Sequence, residues 1–527
     1  MVSPAATLAE AAAEAIEPDL MAGAVVGVYR HGAPLYRAGF GLADRERAVP
    51  FTPELRFRCC SITKQFTALL IALAEAEGRL GFDDHPARHL PWLGALDARL
   101  KLAHLLTNQS GIPDYWCLAM LSGARPESRF RLDDARRLLR AADWANFTPG
   151  ARMAYCNSNF MILGMIAEAV FDAPLAELFS ERIFEPLAMA DSALEPFTAE
   201  PLARGATGYE ADPSGRVVPA TVDIAWYGDA ALVSTIDDLA RWSALFFGQG
   251  PPALVRAARR LMAPGDYADG TPAPYRWGLR RALLSGRDVV QHFGALRGWR
   301  SVLVQCPDDG VCVVVAFNGM KDPGRAAARI VAALHDAEPP PDPPDVGPKP
   351  TLRRFVGAPL EQVVEIYIGP HGARVECGGR SDALGGSGTR FRSVDGGVAL
   401  ELRDGGGALN YRHDNVRLDL EELREPVARP LSDGAYFCRA LATRLVVDAQ
   451  GTRLRLHGPL GDSLACPLES VGPGLALYRC MRALDHHPPG TFTVAQDCAS
   501  GALRIGCWLA QGAVFEVVRE PGNSAPL

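Results

Sequence analysis

Cys60-Ser61-Ile62-Thr63-Lys64-Gln65-Phe66-Thr67, running into the apolar stretch that ends at Leu80, decides how this chain is read. A serine and a lysine three residues apart share one face of a helix, with Cβ atoms roughly 5 to 6 Å apart. Phe66, Leu69, Leu70 and Leu73 add the 3.6-residue stripe that sinks a helix into a core. A lysine on so buried a helix loses hydration of its ammonium, which lowers its pKa and lets the amine take a proton from a serine near neutral pH. Alone, Ser-x-x-Lys reads equally well as a helix-start serine beside a solvated lysine. The surrounding chain has to discriminate.

At 527 residues the chain is too long for one core, and its net charge of -7 is spread in mixed signs. That balance points to neither nucleic acid nor an anionic membrane surface. Twelve cysteines lack a Cys-x-x-Cys pair, and no histidine cluster has metal-ligand spacing, so buried thiols in a reducing compartment are expected and no metal or organic cofactor is called for. The alanine-rich start carries Glu10, Glu14, Glu17 and Asp19, unlike a signal peptide, and no run reaches the roughly 20 apolar residues of a membrane span. A cytoplasmic protein with no membrane partner is the expectation.

The Pro-rich segment 338-350 is a semi-rigid spacer that divides the chain near two thirds. Before it, Ala24 to Tyr29 and Pro34 to Gly39 flank His31-Gly32 as a hairpin, and amphipathic helices follow. After it, short runs such as Val363 to Ile368, Val398 to Leu402, Leu445 to Val447, Arg453 to Leu456 and Leu503 to Leu509 are separated by Gly, Asp and Pro, as in all-β barrels or sandwiches. The pattern Phe355, Val363 to Ile368, Gly372-Ala373-Arg374 returns as Tyr436, Leu445 to Val447, Gly451-Thr452-Arg453, which predicts two similar β domains. The expected division is 1-337, a linker 338-350, 351-430 and 431-527.

Two further motifs bear on chemistry. Tyr155-Cys156-Asn157 stands just before the helix-like Phe160 to Val170, where a phenol and an amide project from one short segment. His292-Phe293-Gly294-Ala295 lies in strand territory between Asp288-Val289-Val290 and Ser301 to Gln305, with a glycine that lets backbone approach a substrate. Singly, the first reads also as a buried tyrosine with an Asx cap and the second as an edge histidine.

Taken in order, Ser-x-x-Lys, Tyr-x-Asn and His-x-Gly resemble the motifs of the penicillin-recognising serine hydrolases, the superfamily of serine β-lactamases and DD-peptidases. Leu105 to Gly111, Gly228-Asp229-Ala230 ahead of Ser234-Thr235, and Phe317-Asn318 agree. Within it the chain is more similar to the D-stereospecific aminopeptidases, through Cys60 to Thr67, Asn108 to Gly111 with Asp114-Tyr115-Trp116, Ser180 to Phe184, Gly294 to Arg300 and Gly506 to Ala510. The resemblance implies an N-terminal α/β (α+β) β-lactamase-like domain followed by two antiparallel β-barrel domains, and a homodimer. It also implies release of an N-terminal D-amino acid from peptides, amides or esters through an acyl-enzyme on Ser61, with β-lactams as further ligands.

On that reading Lys64 is the base, Tyr155 relays a proton to the departing amine, and the N–H groups of Ser61 and Ala295, beside Gly294, receive the oxyanion. Asn157 binds substrate or holds Lys64. His292 stands where many relatives carry lysine, so a weaker, pH-dependent positive charge is expected there. Phe293 replaces a small residue and is expected to narrow the pocket or alter side-chain preference. The family has a loop from its last β domain that enters the catalytic cleft; 479-490 aligns with it, and its one carboxylate, Asp485, is expected near His292, receiving the substrate amine. Two alternatives stand beside this: an esterase, β-lactamase or DD-peptidase using the same residues, and a catalytically silent ligand-binding protein.

Overall fold

The computed structural model describes residues 4–16, 20–125, 127–142, 144–212, 214–220, 222–423, 430–480, 490–508 and 510–518. They form two compact units. The first comprises Met1–Gly111, Arg129–Asp134 and Phe147–Asp342, and the second Ile112–Ser128, Ala135–Asn146 and Pro343–Leu527.

The first unit is built on a seven-stranded antiparallel sheet. Its strands are β1 (Gly23–Arg30), β2 (Ala33–Asp44), β3 (Val49–Pro50), β4 (Arg280–Leu284), β5 (Arg287–Leu296), β6 (Trp299–Cys306) and β7 (Val311–Phe317), in the order β4-β5-β6-β7-β1-β2-β3. The β1–β2 hairpin turns at His31 and Gly32, both with positive φ, as a tight two-residue turn requires. Strands β1 and β7 are continuous Val-rich runs because they are covered on both faces. One face packs on α1 (Pro4–Ile16) and α4 (Pro323–Leu334), burying Val26, Val304, Val313, Ala327 and Ile330.

Helix α2 (Thr63–Ala76) is buried from Thr63 through Ala74. This goes beyond the amphipathic stripe expected from sequence; polar residues on the extra faces meet specific partners, while Gln65 Nε2 is buried without a hydrogen bond. Thr67 Oγ1 donates to Gly228 O, and Gln65 Oε1 accepts from Trp242 Nε1. Phe66 stacks on Trp242 at 3.8 Å between ring centroids and meets Phe179 and Phe184 at its edges. Helix α3 (Asn157–Phe171) packs against α2.

In the second unit, eight strands from Thr351–Ala358 to Val416–Glu422 form a closed barrel. Pairing of Thr351–Ala358 with Val416–Glu422 closes it around Phe355, Val364, Leu409, Tyr411 and Leu418. A second ring runs from Gly434–Cys438 to Ala510–Val517 and is closed by Thr443–Val447 pairing with Arg453–Gly458. The three-strand meanders that open the two rings are the segments carrying the repeated sequence pattern. The changeover between units falls at Asp342/Pro343, inside the Pro-rich segment. The helix Tyr115–Leu121, although early in the chain, groups with the second unit: Leu460 N donates to Ser122 O, just past its end.

Candidate active site

The turn Cys59-Cys60-Ser61 precedes α2 and is held on three sides. Cys59 N donates to Leu232 O, Thr63 Oγ1 donates to Cys60 O at 2.6 Å, and Leu232 N donates to Thr63 Oγ1. Cys60 has φ +55°, a left-handed conformation that costs an L-residue roughly 1 kcal/mol or more and sets Ser61 on a sharp bend. Ser61 is 8% exposed, enough to present Oγ, whereas Lys64 is fully buried.

Lys64 Nζ lies 3.0 Å from Ser61 Oγ, 2.9 Å from Asn157 Oδ1 and 2.9 Å from Asp229 O. The two carbonyl oxygens can take the two N–H bonds of a neutral amine, which leaves its lone pair for the Ser61 hydroxyl proton. Asn157 does not cap α3, whose N-cap is Cys156 with no side-chain cap bond; its amide is turned to Lys64 instead. The Tyr155 ring centroid is 4.8 Å from Lys64 Nζ and 6.0 Å from the His292 ring, so the phenol borders both groups.

Strand β5 brings His292, Gly294 and Ala295 to the same place. A Cβ on Gly294 would lie 2.2 Å from Ser301 Oγ and 2.4 Å from Cys59 O, so the glycine is what lets β5 close on the nucleophile turn. Leu296 and Trp299 flank the two-residue turn Arg297-Gly298, which makes theirs a hydrogen-bonded pair and Ala295/Arg300 a non-bonded one. Ala295 N–H therefore points away from β6, off an edge that β4 leaves uncovered beyond Gln291.

His292 Nδ1 is 2.7 Å from Phe293 O and Nε2 is 3.1 Å from Tyr275 Oη. A carbonyl only accepts, so Nδ1 carries the proton and Nε2 accepts from the tyrosine. Burial, reinforced by the Lys64 charge when that amine is protonated, pushes the imidazole pKa down to about 3. The pH-dependent positive charge expected at His292 is thus absent near neutrality: removing the ring from water penalises the cation more than its contacts favour it. Phe293 also departs from expectation. It alternates to the opposite face of β5, where its ring is 2.6 Å from the position a Cβ on Gly324 of α4 would take, and it does not narrow the site.

Sequence reading did not single out the Asp229 carbonyl or Tyr275. The first lies in a segment quoted for its family resemblance; the second is a lone tyrosine with no motif around it. Asp485 lies outside the described residues.

A family model described as Beta-lactamase matches residues 12–337, and one described as D-aminopeptidase, domain B, matches 389–516. The chain is 33% identical over 516 residues to the D-aminopeptidase of Gluconobacter oxydans (strain 621H), covering 94% of this chain and 96% of the relative. It belongs to the D-aminopeptidase family, on the β-lactamase fold. Another member, the D-aminopeptidase of Brucella ovis, is 32% identical over 507 residues, 94% of this chain and 95% of its own. The fold of this D-aminopeptidase-family chain is similar to that of the octameric penicillin-binding protein homologue from Pyrococcus abyssi, with TM-score 0.57 and 23% identity over 78% of this chain and 98% of that one. Among the described residues of this family member, no helix is long and apolar enough to cross a membrane.

Proposed function

We propose that the chain is a serine hydrolase that releases an N-terminal D-amino acid from peptides, amides or esters through an acyl-enzyme on Ser61. The observation that carries this reading is the seat of Lys64 Nζ, 3.0 Å from Ser61 Oγ and held by Asn157 Oδ1 and Asp229 O, in a chain of the D-aminopeptidase family. Lys64 takes the Ser61 proton as Oγ attacks the carbonyl of the N-terminal residue. The N–H groups of Ser61 and Ala295 receive the developing oxyanion, the second because it points off the free edge of β5. Tyr155, bordering Lys64, passes a proton to the departing amine and then helps activate water, a contribution typically worth about 10²- to 10⁴-fold.

A neutral His292 gives the cleft no fixed cation at that point, which disfavours substrates that rely on a free C-terminal carboxylate. Asp485 in the 479-490 loop is the proposed receiver of the substrate ammonium. A cytoplasmic location and a homodimer complete the reading; burial of ten of the twelve cysteines is consistent with a reducing compartment.

The test is incubation with D-alanine and L-alanine p-nitroanilides beside their N-acetylated forms, with Ser61→Ala as control. Ser61-dependent release from the free-amine D substrate alone is expected. Preference for the acetylated substrate would instead assign a DD-peptidase-like or esterase activity, and no release from any substrate would leave a ligand-binding protein.

A further inference from the structure

His292 sits between two hydrogen-bond partners, Tyr275 Oη and Phe293 O. Asn108 is fully buried with φ +55°, and its Oδ1 accepts from Cys156 N at 3.2 Å and from Asn159 Nδ2 at 3.0 Å. Those two donors fix the amide orientation, because an amide nitrogen cannot accept from either. Asn108 Nδ2 is left without a hydrogen bond. Tyr275, 4% exposed, then points its hydroxyl at His292 Nε2, and His292 Nδ1 points at Phe293 O. Both links have the same polarity: phenol O–H toward Nε2, and Nδ1–H toward a carbonyl.

We propose that Tyr275 is a positioning residue that holds His292 as the Nδ1-protonated tautomer with Nε2 already occupied, so that the imidazole offers no N–H to a substrate carboxylate. This rests on the aminopeptidase reading above and adds the device that sets selectivity against acids. Among the described residues no carboxylate faces His292; Asp485, the proposed receiver of the substrate ammonium, lies outside them. The described titratable groups that face it are Lys64 from α2, Tyr155 ahead of α3 and Tyr275 ahead of β4, and across the β5–β6 ladder it meets apolar Leu303. Tyr275 touches no reacting atom in this scheme; it acts through the histidine.

Tyr275→Phe removes one oxygen and keeps the ring that packs edge-on against Tyr155 and His292. The experiment labels histidine with ¹⁵N in the full-length protein, assigns the His292 signals by their absence in His292→Asn, and follows both ring nitrogens from pH 5 to 8. In the wild type Nδ1 is expected to be protonated, Nε2 to be an acceptor, and neither to titrate. In Tyr275→Phe, Nε2 should lose its hydrogen-bond shift and titrate within this range. The kcat/KM ratio of D-alanine amide to D-alanyl-D-alanine should also fall about fivefold at pH 5.5 and less at pH 8. A wild-type His292 that is protonated on Nε2, or titrates between pH 5 and 8, overturns the tautomer assignment even if no substrate is cleaved. A variant with the altered Nε2 signal and an unchanged amide-to-acid ratio overturns the selectivity role. The wild-type spectrum keeps the assignment open to refutation if the variant does not fold, and lack of D-substrate cleavage by the wild type would sink the proposed function separately.

Discussion

Ser301 Oγ donates a hydrogen bond to the Cys59 carbonyl at 2.9 Å, directly across the β5–β6 ladder from Gly294. The sheet therefore grips the nucleophile turn from one side while Leu232 grips it from the other. This arrangement tolerates no side chain at position 294, since one neighbour of an added Cβ is backbone. Gly294→Ala should push β5 and the Cys59–Ser61 turn apart. A displacement near 1 Å in a reacting group costs about 10²-fold in rate, and overpacking costs about 1 to 3 kcal/mol of stability. Steady-state kinetics on a D-aminoacyl p-nitroanilide, beside a urea unfolding curve, should show activity falling far more than stability. Ser301→Ala, which removes a hydrogen bond without adding bulk, should lose much less.

His292 gives the fold an acid-side liability. In the unfolded chain its pKa returns to the ordinary histidine value near 6.5, whereas in the fold it is about 3. Between those values the unfolded state binds the extra proton, so stability rises with pH across this window and is fully present above about 6.5. The slope approaches about 1.4 kcal/mol per pH unit for one such group. Replacing His292 with Gln should flatten the stability curve between pH 4 and 6 while leaving its alkaline side unchanged, as measured by unfolding midpoints across that range. An equal slope in the variant would show that carboxylates, not this ring, govern acid sensitivity.

Asn157 holds Lys64 by one oxygen, with Asp229 O as the other carbonyl partner. Asn157→Leu removes that acceptor at nearly constant volume, so the amine loses an anchor while Ser61 stays in place. The acylation rate should drop by about two orders of magnitude, in line with loss of a fixed orienting group. KM for a D-amino amide should change little if the amide mainly holds the lysine, and rise markedly if it mainly binds substrate. Pre-steady-state bursts with an activated ester separate the two contributions.

The legible parts of this molecule are those written in local pattern. Ser61 and Lys64 could be paired because a helix makes i and i+3 neighbours without any knowledge of the fold, and the strand runs after Pro350 declared themselves by alternation and by their Gly and Asp punctuation. The full burial of α2 was not legible: Thr67 and Gln65 look like a solvated face until Gly228 O and Trp242 Nε1 arrive from distant positions. Asp229 contributes a main-chain carbonyl, which every residue possesses, so no side-chain motif marks it. Tyr275 acts through a contact set by the register of β5 and the path of the chain ahead of β4, neither of which is encoded near residue 275. The charge state of His292 was misread for a similar reason, because burial is a property of the neighbours that pack on it. The grouping of Tyr115–Leu121 with the second unit likewise depends on long-range contacts.

Arg297, in the turn that joins β5 to β6, is held by Glu210 through two hydrogen bonds, Nε to Oε2 at 2.7 Å and Nη2 to Oε1 at 2.5 Å. Both side chains are almost wholly buried, at 2% and 4% exposure. The bidentate geometry offsets the cost of taking two charges out of water, but only while both partners are present. Glu210→Gln leaves a guanidinium buried without its carboxylate and should cost about 3 to 5 kcal/mol. Because the same turn sets the direction of Ala295 N–H, the variant should also lose activity at temperatures where it remains folded. Replacing both residues together, as Glu210→Leu with Arg297→Met, removes the orphaned charge and should recover most of the stability. Activity should recover less, since an apolar pair does not fix the turn as a two-pronged ion pair does. Urea midpoints and kcat/KM for the wild type and these two variants give the comparison. A single Glu210→Gln loss under about 1 kcal/mol would mean that Arg297 reaches water, and that the pair is not what holds the strand carrying His292.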